Sequence, residues 1–269
     1  MKKEIKIDTF EEILIRSSIQ VYTMVNKEEN PSGFGSGFII NHKNKYFFIT
    51  VFHVIRDEVE TFLETNLPPK DNKQSLQPIG GIYSFNLLKA SPNISAEGLE
   101  ELLTEPGEII DIAFSEYIPE KMGPLMQKGI DFGAFKVEKG IKITLDENHI
   151  SEPNTDNSYG VFGNIGHHYK GVNLVSSPKL VNNLKYHKTF GDFHKFLLPT
   201  IIKEKEEFEG CSGAPIIDSL GNVVAIACKV ATGTKLVYGF SISKCIQLID
   251  YTIRIDEINE LTKNKKQNN

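Results

Sequence analysis

The last histidine of the chain, His194, lies upstream of Gly210-Cys211-Ser212-Gly213-Ala214-Pro215, and that order restricts what can be built around Ser212. A serine hydroxyl is a weak nucleophile at neutral pH, so a reactive serine needs an imidazole within hydrogen-bond reach to take its proton. With no histidine after Ser212, the base must come from earlier in the chain, and distant segments must fold together to form a site. The immediate surroundings suit such a serine. A glycine two positions before it allows a turn in which the Gly210 and Ser212 amides point at one spot, where a carbonyl oxygen turns negative under attack. Gly213 leaves room for a substrate backbone to come close. The residues that follow, Ala214-Pro215-Ile216-Ile217, read as a strand, whereas the Gly-x-Ser-x-Gly elbow of α/β-hydrolases opens a helix.

Four segments occur in a fixed order: Gly33-Phe34-Gly35-Ser36-Gly37-Phe38-Ile39-Ile40, Phe48-Ile49-Thr50-Val51-Phe52-His53-Val54-Ile55, Asp111-Ile112-Ala113-Phe114 and the Ser212 segment. Through them the chain resembles the trypsin-like (chymotrypsin-fold) serine peptidases, especially their non-secreted bacterial members. The resemblance covers about residue 18 to about residue 250. It departs at Val51, where the family usually has Ala, and at Ala214, where it has Gly or Ser. It implies an all-β fold of two six-stranded Greek-key β-barrels with a C-terminal helix, and a cleft between the barrels. The chain order His53…Asp111…Ser212 agrees with it. The α/β-hydrolase order, Ser…Asp…His, is impossible for Ser212, and the subtilisin order would need His167 or His168, which sit in no recognisable motif.

The resemblance assigns Ser212 as nucleophile, His53 as general base and acid, Asp111 as the carboxylate that orients the imidazole, and the Gly210 and Ser212 amides as the oxyanion hole. The function implied is a serine endopeptidase working through an acyl-enzyme; the alternative is a protease-shaped binding or regulatory module that has lost turnover. Asp131, in Ile130-Asp131-Phe132-Gly133, is a rival for the orienting role, and Asp111 is preferred for its Asp-Ile-Ala-Phe context. Glu206 stands six residues before Ser212, where the family places the base of the pocket for the residue preceding the cut bond. A carboxylate there would favour Lys or Arg, although Glu204, Glu206, Glu207 and Glu209 also read as a solvated acidic loop. Lys229 and Val230, on the strand expected to wall that pocket, would neutralise or narrow it. Cys211 takes the place of the acidic residue that pairs with a cleaved N-terminus in secreted relatives, so activation by that route is not expected. His167-His168 could suggest a metal, but adjacent strand residues point to opposite faces, and a solvated loop is the simpler reading. No metal and no cofactor are expected.

Composition narrows the partners. The chain of 269 residues has a formal net charge of −5, which argues against nucleic acid as a default partner. A protein or peptide substrate is expected, with a regulatory partner or oligomer left open. Its three cysteines, Cys211, Cys228 and Cys245, make a poor disulfide framework. The first residues show no apolar secretory core, and no run approaches the ~20 apolar residues that span a bilayer. A soluble cytoplasmic setting without membrane contact is the expectation.

Short apolar, β-branched and aromatic runs fall in two series. The first comprises residues 19–24, 37–40, 46–50, 79–87, 109–117 and 132–137; the second comprises 159–162, 172–175, 196–202, 214–217, 223–230 and 236–242. Helices are predicted over residues 9–17, 95–103 and 244–258, with a disordered tail from Lys263. The predicted organisation is an N-terminal extension (1–17), a barrel carrying His53 and Asp111 (18–145), a barrel carrying Ser212 (146–243), and a helix with tail (244–269).

Overall fold

The computed structural model describes residues 9–25, 30–55, 59–67, 75–86 and 110–267, with side chains described as far as residue 259. Helix α1 (Phe10–Ser17) begins where the Thr9 hydroxyl accepts the Glu12 N–H at 3.2 Å. Glu11 and Glu12 in its first turn and Arg16 in its last suit the helix dipole. Strands β1 (Ile19–Val25), β2 (Gly33–His42) and β3 (Lys45–Thr50) follow. The β2–β3 reversal uses Lys43 and Asn44 at φ 50° and 62°, the two-residue turn whose hand matches strand twist. A single helical turn, α2 (Phe52–Ile55), leads on to β4 (Val59–Glu64), β5 (Leu76–Ile79), β6 (Tyr83–Asn86) and β7 (Asp111–Tyr117).

These strands form one sheet in the order β5-β4-β1-β2-β3-β7-β6. Two short ribbons then connect the halves: β8 (Met126–Gln127) with β11 (Gly140–Ile141), and β9 (Ile130–Asp131) with β10 (Lys136–Val137). Strand β12 (Leu145–Asp146) adds to β2 in parallel. The second half is β13 (Tyr159–Lys170), β14 (Asn173–Phe190), β15 (Phe193–Leu197), β16 (Pro215–Asp218), β17 (Val223–Ala231) and β18 (Leu236–Ser241), followed by helix α3 (Ile242–Gln267). The fold is therefore mostly strand with a closing helix, as expected. The second barrel closes with six strands in the order β13-β14-β15-β18-β17-β16, while the first is an open half-barrel sheet among the described residues.

Several elements differ from the sequence expectation. The run 79–87 is interrupted, since β5 ends at Ile79 and the chain turns through Gly80-Gly81 into β6. The run 132–137 is also no single strand. The Asp131 carboxylate accepts the Gly133 N–H at 2.8 Å, a side-chain turn that folds the segment into the β9–β10 ribbon. Strand β4 was not foreseen, and the pairing of β13 with β14 extends far beyond residues 159–162 and 172–175. Helix α3 continues through the Lys263–Gln267 stretch expected to be disordered, because nothing from Ile242 to Gln267 is Gly or Pro to stop it. The helix predicted over 95–103 lies outside the described residues. No helix among the described residues is long and apolar enough to cross a membrane.

The largest buried cluster draws on both halves: Phe38, Phe48, Ile112 and Phe114 from the first sheet join Phe162, Ile226, Tyr238 and Phe240 from the barrel. A polar clasp ties helix α1 to the ribbons that follow the first sheet. Arg16 donates to Glu138 O at 2.9 Å and to the Glu12 carboxylate at 2.6 Å. Half-buried Lys142 turns its ammonium inward, donating to Ile15 O at 2.8 Å, Gln127 Oε1 at 2.6 Å, and Ser18 O. Burial lowers the Lys142 pKa from 10.5 to about 7, with Glu64 opposing and Arg16 adding to the shift. The folded protein then binds fewer protons than the unfolded chain between those two values, so stability rises with pH across that window. Calorimetry from pH 7 to pH 9.5 is expected to show a melting temperature rising by roughly 2–4 °C more in wild type than in Lys142→Met.

Candidate active site

Strand β7 starts at Asp111, and α2 carries His53 out of the end of β3; these two ends are adjacent because β3 and β7 pair, with Thr50 opposite Ala113. Asp111 is 4% exposed and both its oxygens serve His53. Oδ1 accepts the His53 backbone N–H at 2.9 Å, and Oδ2 lies 2.6 Å from the His53 ring Nδ1. An ionised carboxylate can only accept, so Nδ1 carries the proton. The opposite ring nitrogen, Nε2, then carries the lone pair. Asp131 is elsewhere and exposed, bonded to Gly133 and Lys136. Of the two rival carboxylates, Asp111 is the one that meets His53.

The Ser212 turn is fastened to the same region from the other half of the chain. Ser36 on β2 donates its N–H to Ser212 O at 2.7 Å and its hydroxyl to Gly210 O at 2.7 Å. Thr50, three residues before His53, donates to Ser36 O at 2.7 Å. Gly213 (φ 89°) packs so closely that any Cβ there would strike Ser36 O and Thr50 Oγ1, so the position admits only glycine. Its N–H donates to Ala227 O on β17 at 2.7 Å. Neither the Gly210 nor the Ser212 amide donates to an acceptor among the described residues. The Ser212 hydroxyl itself makes no hydrogen bond among the described residues, His53 included. Bonds of this kind commonly tighten only when substrate is bound.

Cys211 is buried, and burial pushes its thiol up to about 12, with Lys179 opposing. Cys228 is raised too, by burial and then by the charge of Asp111. Glu206 sits exposed on a short 3-10 turn (Lys205–Glu207), with no partner among the described residues. Its neighbour Glu207 is held by the Lys203 and Glu204 amides. Lys229 is partly buried on β17, and burial, followed by repulsion from Lys205, lowers its pKa while Asp111 opposes the shift. Val230 packs against the interior of the second barrel. His167 lies on β13, half-buried, which corrects the solvated-loop expectation.

Ser36 is not among the sequence candidates, although Gly33–Ile40 carries part of the resemblance. The signal was a small hydroxyl between two glycines, where the strand can approach another backbone. Ser36→Ala would leave the Gly210 carbonyl without that donor, and a loss of about 1–3 kcal/mol is expected in urea denaturation.

Neither a protein-family model nor a curated protein sequence matches the chain. Solved structures do. The crystal structure of the serine endoprotease from Yersinia pestis superimposes with a TM-score of 0.50 at 14% identity, covering 93% of this chain and 68% of that one. The crystal structure of the Rv3671c protease in an inactive form gives 0.41 at 14% identity, covering 86% of this chain and 85% of that one. The chain has the two-lobed, trypsin-like fold of the serine proteases.

Proposed function

We propose that the protein is a serine endopeptidase that cleaves peptide bonds through an acyl-enzyme at Ser212. The observation that carries this reading is the buried Asp111 carboxylate gripping His53 twice, beside a Ser212 turn bonded to β2. In the proposed reaction, Ser212 Oγ attacks the scissile carbonyl while His53 Nε2 takes its proton. The oxygen that becomes negative is met by the Gly210 and Ser212 amides, and Asp111 stabilises the imidazolium. His53 then protonates the leaving amine, and water, activated by the same imidazole, releases the acyl group. The substrate is a protein or peptide chain.

A protease-shaped binding module is the reading favoured by one observation, a Ser212 hydroxyl that makes no hydrogen bond among the described residues. A fluorophosphonate probe decides between the two. The full-length protein, untrimmed, is expected to label at Ser212, and mapping of new protein termini against Ser212→Ala is expected to reveal its cleavage sites. Wild type that neither labels nor generates termini would leave the binding module.

A further inference from the structure

The proposed chemistry makes no use of His167, yet this ring packs against the turn on which that chemistry depends. It lies face to face with Phe34, with centroids 4.3 Å apart and planes 4° from parallel, and edge-on to Tyr22 at 6.2 Å. Its Cε1 corner is turned towards Gly210. A Cβ built on Gly210 would come 3.2 Å from His167 Cε1 and would strike Asn164 O. The register of β13 slips between Ile165 and His168, a bulge that re-aims the strand beside the turn. Gly163 completes the seat, since a Cβ there would lie 2.9 Å from Cys211 Cα and Sγ.

The Gly210 turn is thus held from two sides by different means. Ser36 bonds its carbonyl, while β13 supports it by packing alone. Gly210 itself stands at φ 103°, a conformation whose flexibility must be countered if its amide is to keep one direction. The His167 ring suits that task because it is flat and half-buried, and its Nε2 is enclosed with no hydrogen-bond partner among the described residues. Burial lowers its pKa from 6.5 to about 4, which keeps it uncharged at neutral pH.

We propose that His167 is a positioning residue for the oxyanion site: a ring stacked on Phe34, with its Cε1 corner against Gly210, that fixes the direction of the Gly210 amide. The proposal rests on the reading of Ser212 as nucleophile for its consequence in catalysis, and on packing alone for its effect on Gly210. It assigns the support of this turn to an aromatic stack, with no ion pair at Cys211.

The test compares wild type, His167→Ala and His167→Phe by fluorophosphonate labelling rate and by the amide resonance of Gly210, with thermal melting as the check on folding. His167→Ala is expected to label about 100-fold more slowly, the scale of a small misplacement in an active site, and to shift the Gly210 resonance. His167→Phe, which restores a flat ring on Phe34, is expected to recover most of the rate and the resonance. Should alanine prevent folding, His167→Leu, which fills space without stacking, replaces it with the same expectations. An unmoved Gly210 resonance in the alanine or leucine variant, or a phenylalanine variant no faster than that one, overturns the proposal. Wild type that fails to label, with a Gly210 resonance that responds as expected, sinks the nucleophile reading and leaves the packing role standing.

Discussion

Replacing Ser212 with alanine is expected to lower kcat by four to six orders of magnitude, on the order of the losses seen when a triad nucleophile is removed. The size follows from how the site is arranged. His53 and Asp111 act through one hydroxyl, so deleting it strands both, and only the Gly210 and Ser212 amides remain to favour a tetrahedral oxygen. The fold should be undisturbed, because the Ser212 side chain makes no hydrogen bond among the described residues and the bonds that secure the turn use its backbone. Steady-state hydrolysis of fluorescent casein, with thermal melting as control, measures both. A companion change, Cys211→Ala, should leave kcat within a few-fold, since that buried thiol is held protonated.

Asp111→Asn is expected to cost about 10⁴-fold in kcat with little change in KM. The carboxylate accepts two hydrogen bonds from His53, one from the backbone and one from Nδ1. An amide can still accept one of them through its oxygen, but its NH₂ would face the other donor. To avoid that clash the imidazole would give up the proton on Nδ1 and carry it on Nε2, where it cannot receive one from Ser212. The split between kcat and KM is the diagnostic quantity: a loss confined to KM would mean that Asp111 serves binding.

The candidate site was more legible in the sequence than the sheet that carries it. His53, Asp111 and Ser212 lie in short segments whose local chemistry repeats wherever such a site exists, and the structure brings Asp111 to His53 and the Ser212 turn to β2. Strand β4 was missed because Val59–Glu64 buries only Thr61 and Leu63 and carries two glutamates, a weak alternation at the limit of detection. The far ends of β13 and β14 were missed for a related reason. Residues such as His168, Tyr169 and Lys170 are exposed, so this part of the hairpin is held by backbone pairing, which leaves no apolar pattern. Ser36 and His167 act on the Gly210 turn across 174 and 43 residues of chain respectively, by a hydrogen bond in one case and ring packing in the other. A relation of that kind has no signature along the sequence.

The buried cluster shared by the two halves has a bearing on how a peptide could be held. Phe38, Phe114, Ile226 and Phe240 belong to one packed mass, so swinging one lobe away from the other would tear apolar surface from both. If the protein takes a polypeptide as proposed, it would do so without one lobe swinging over the other. Adaptation to a bound chain would then fall to surface loops and side chains, with the packing between the lobes left intact.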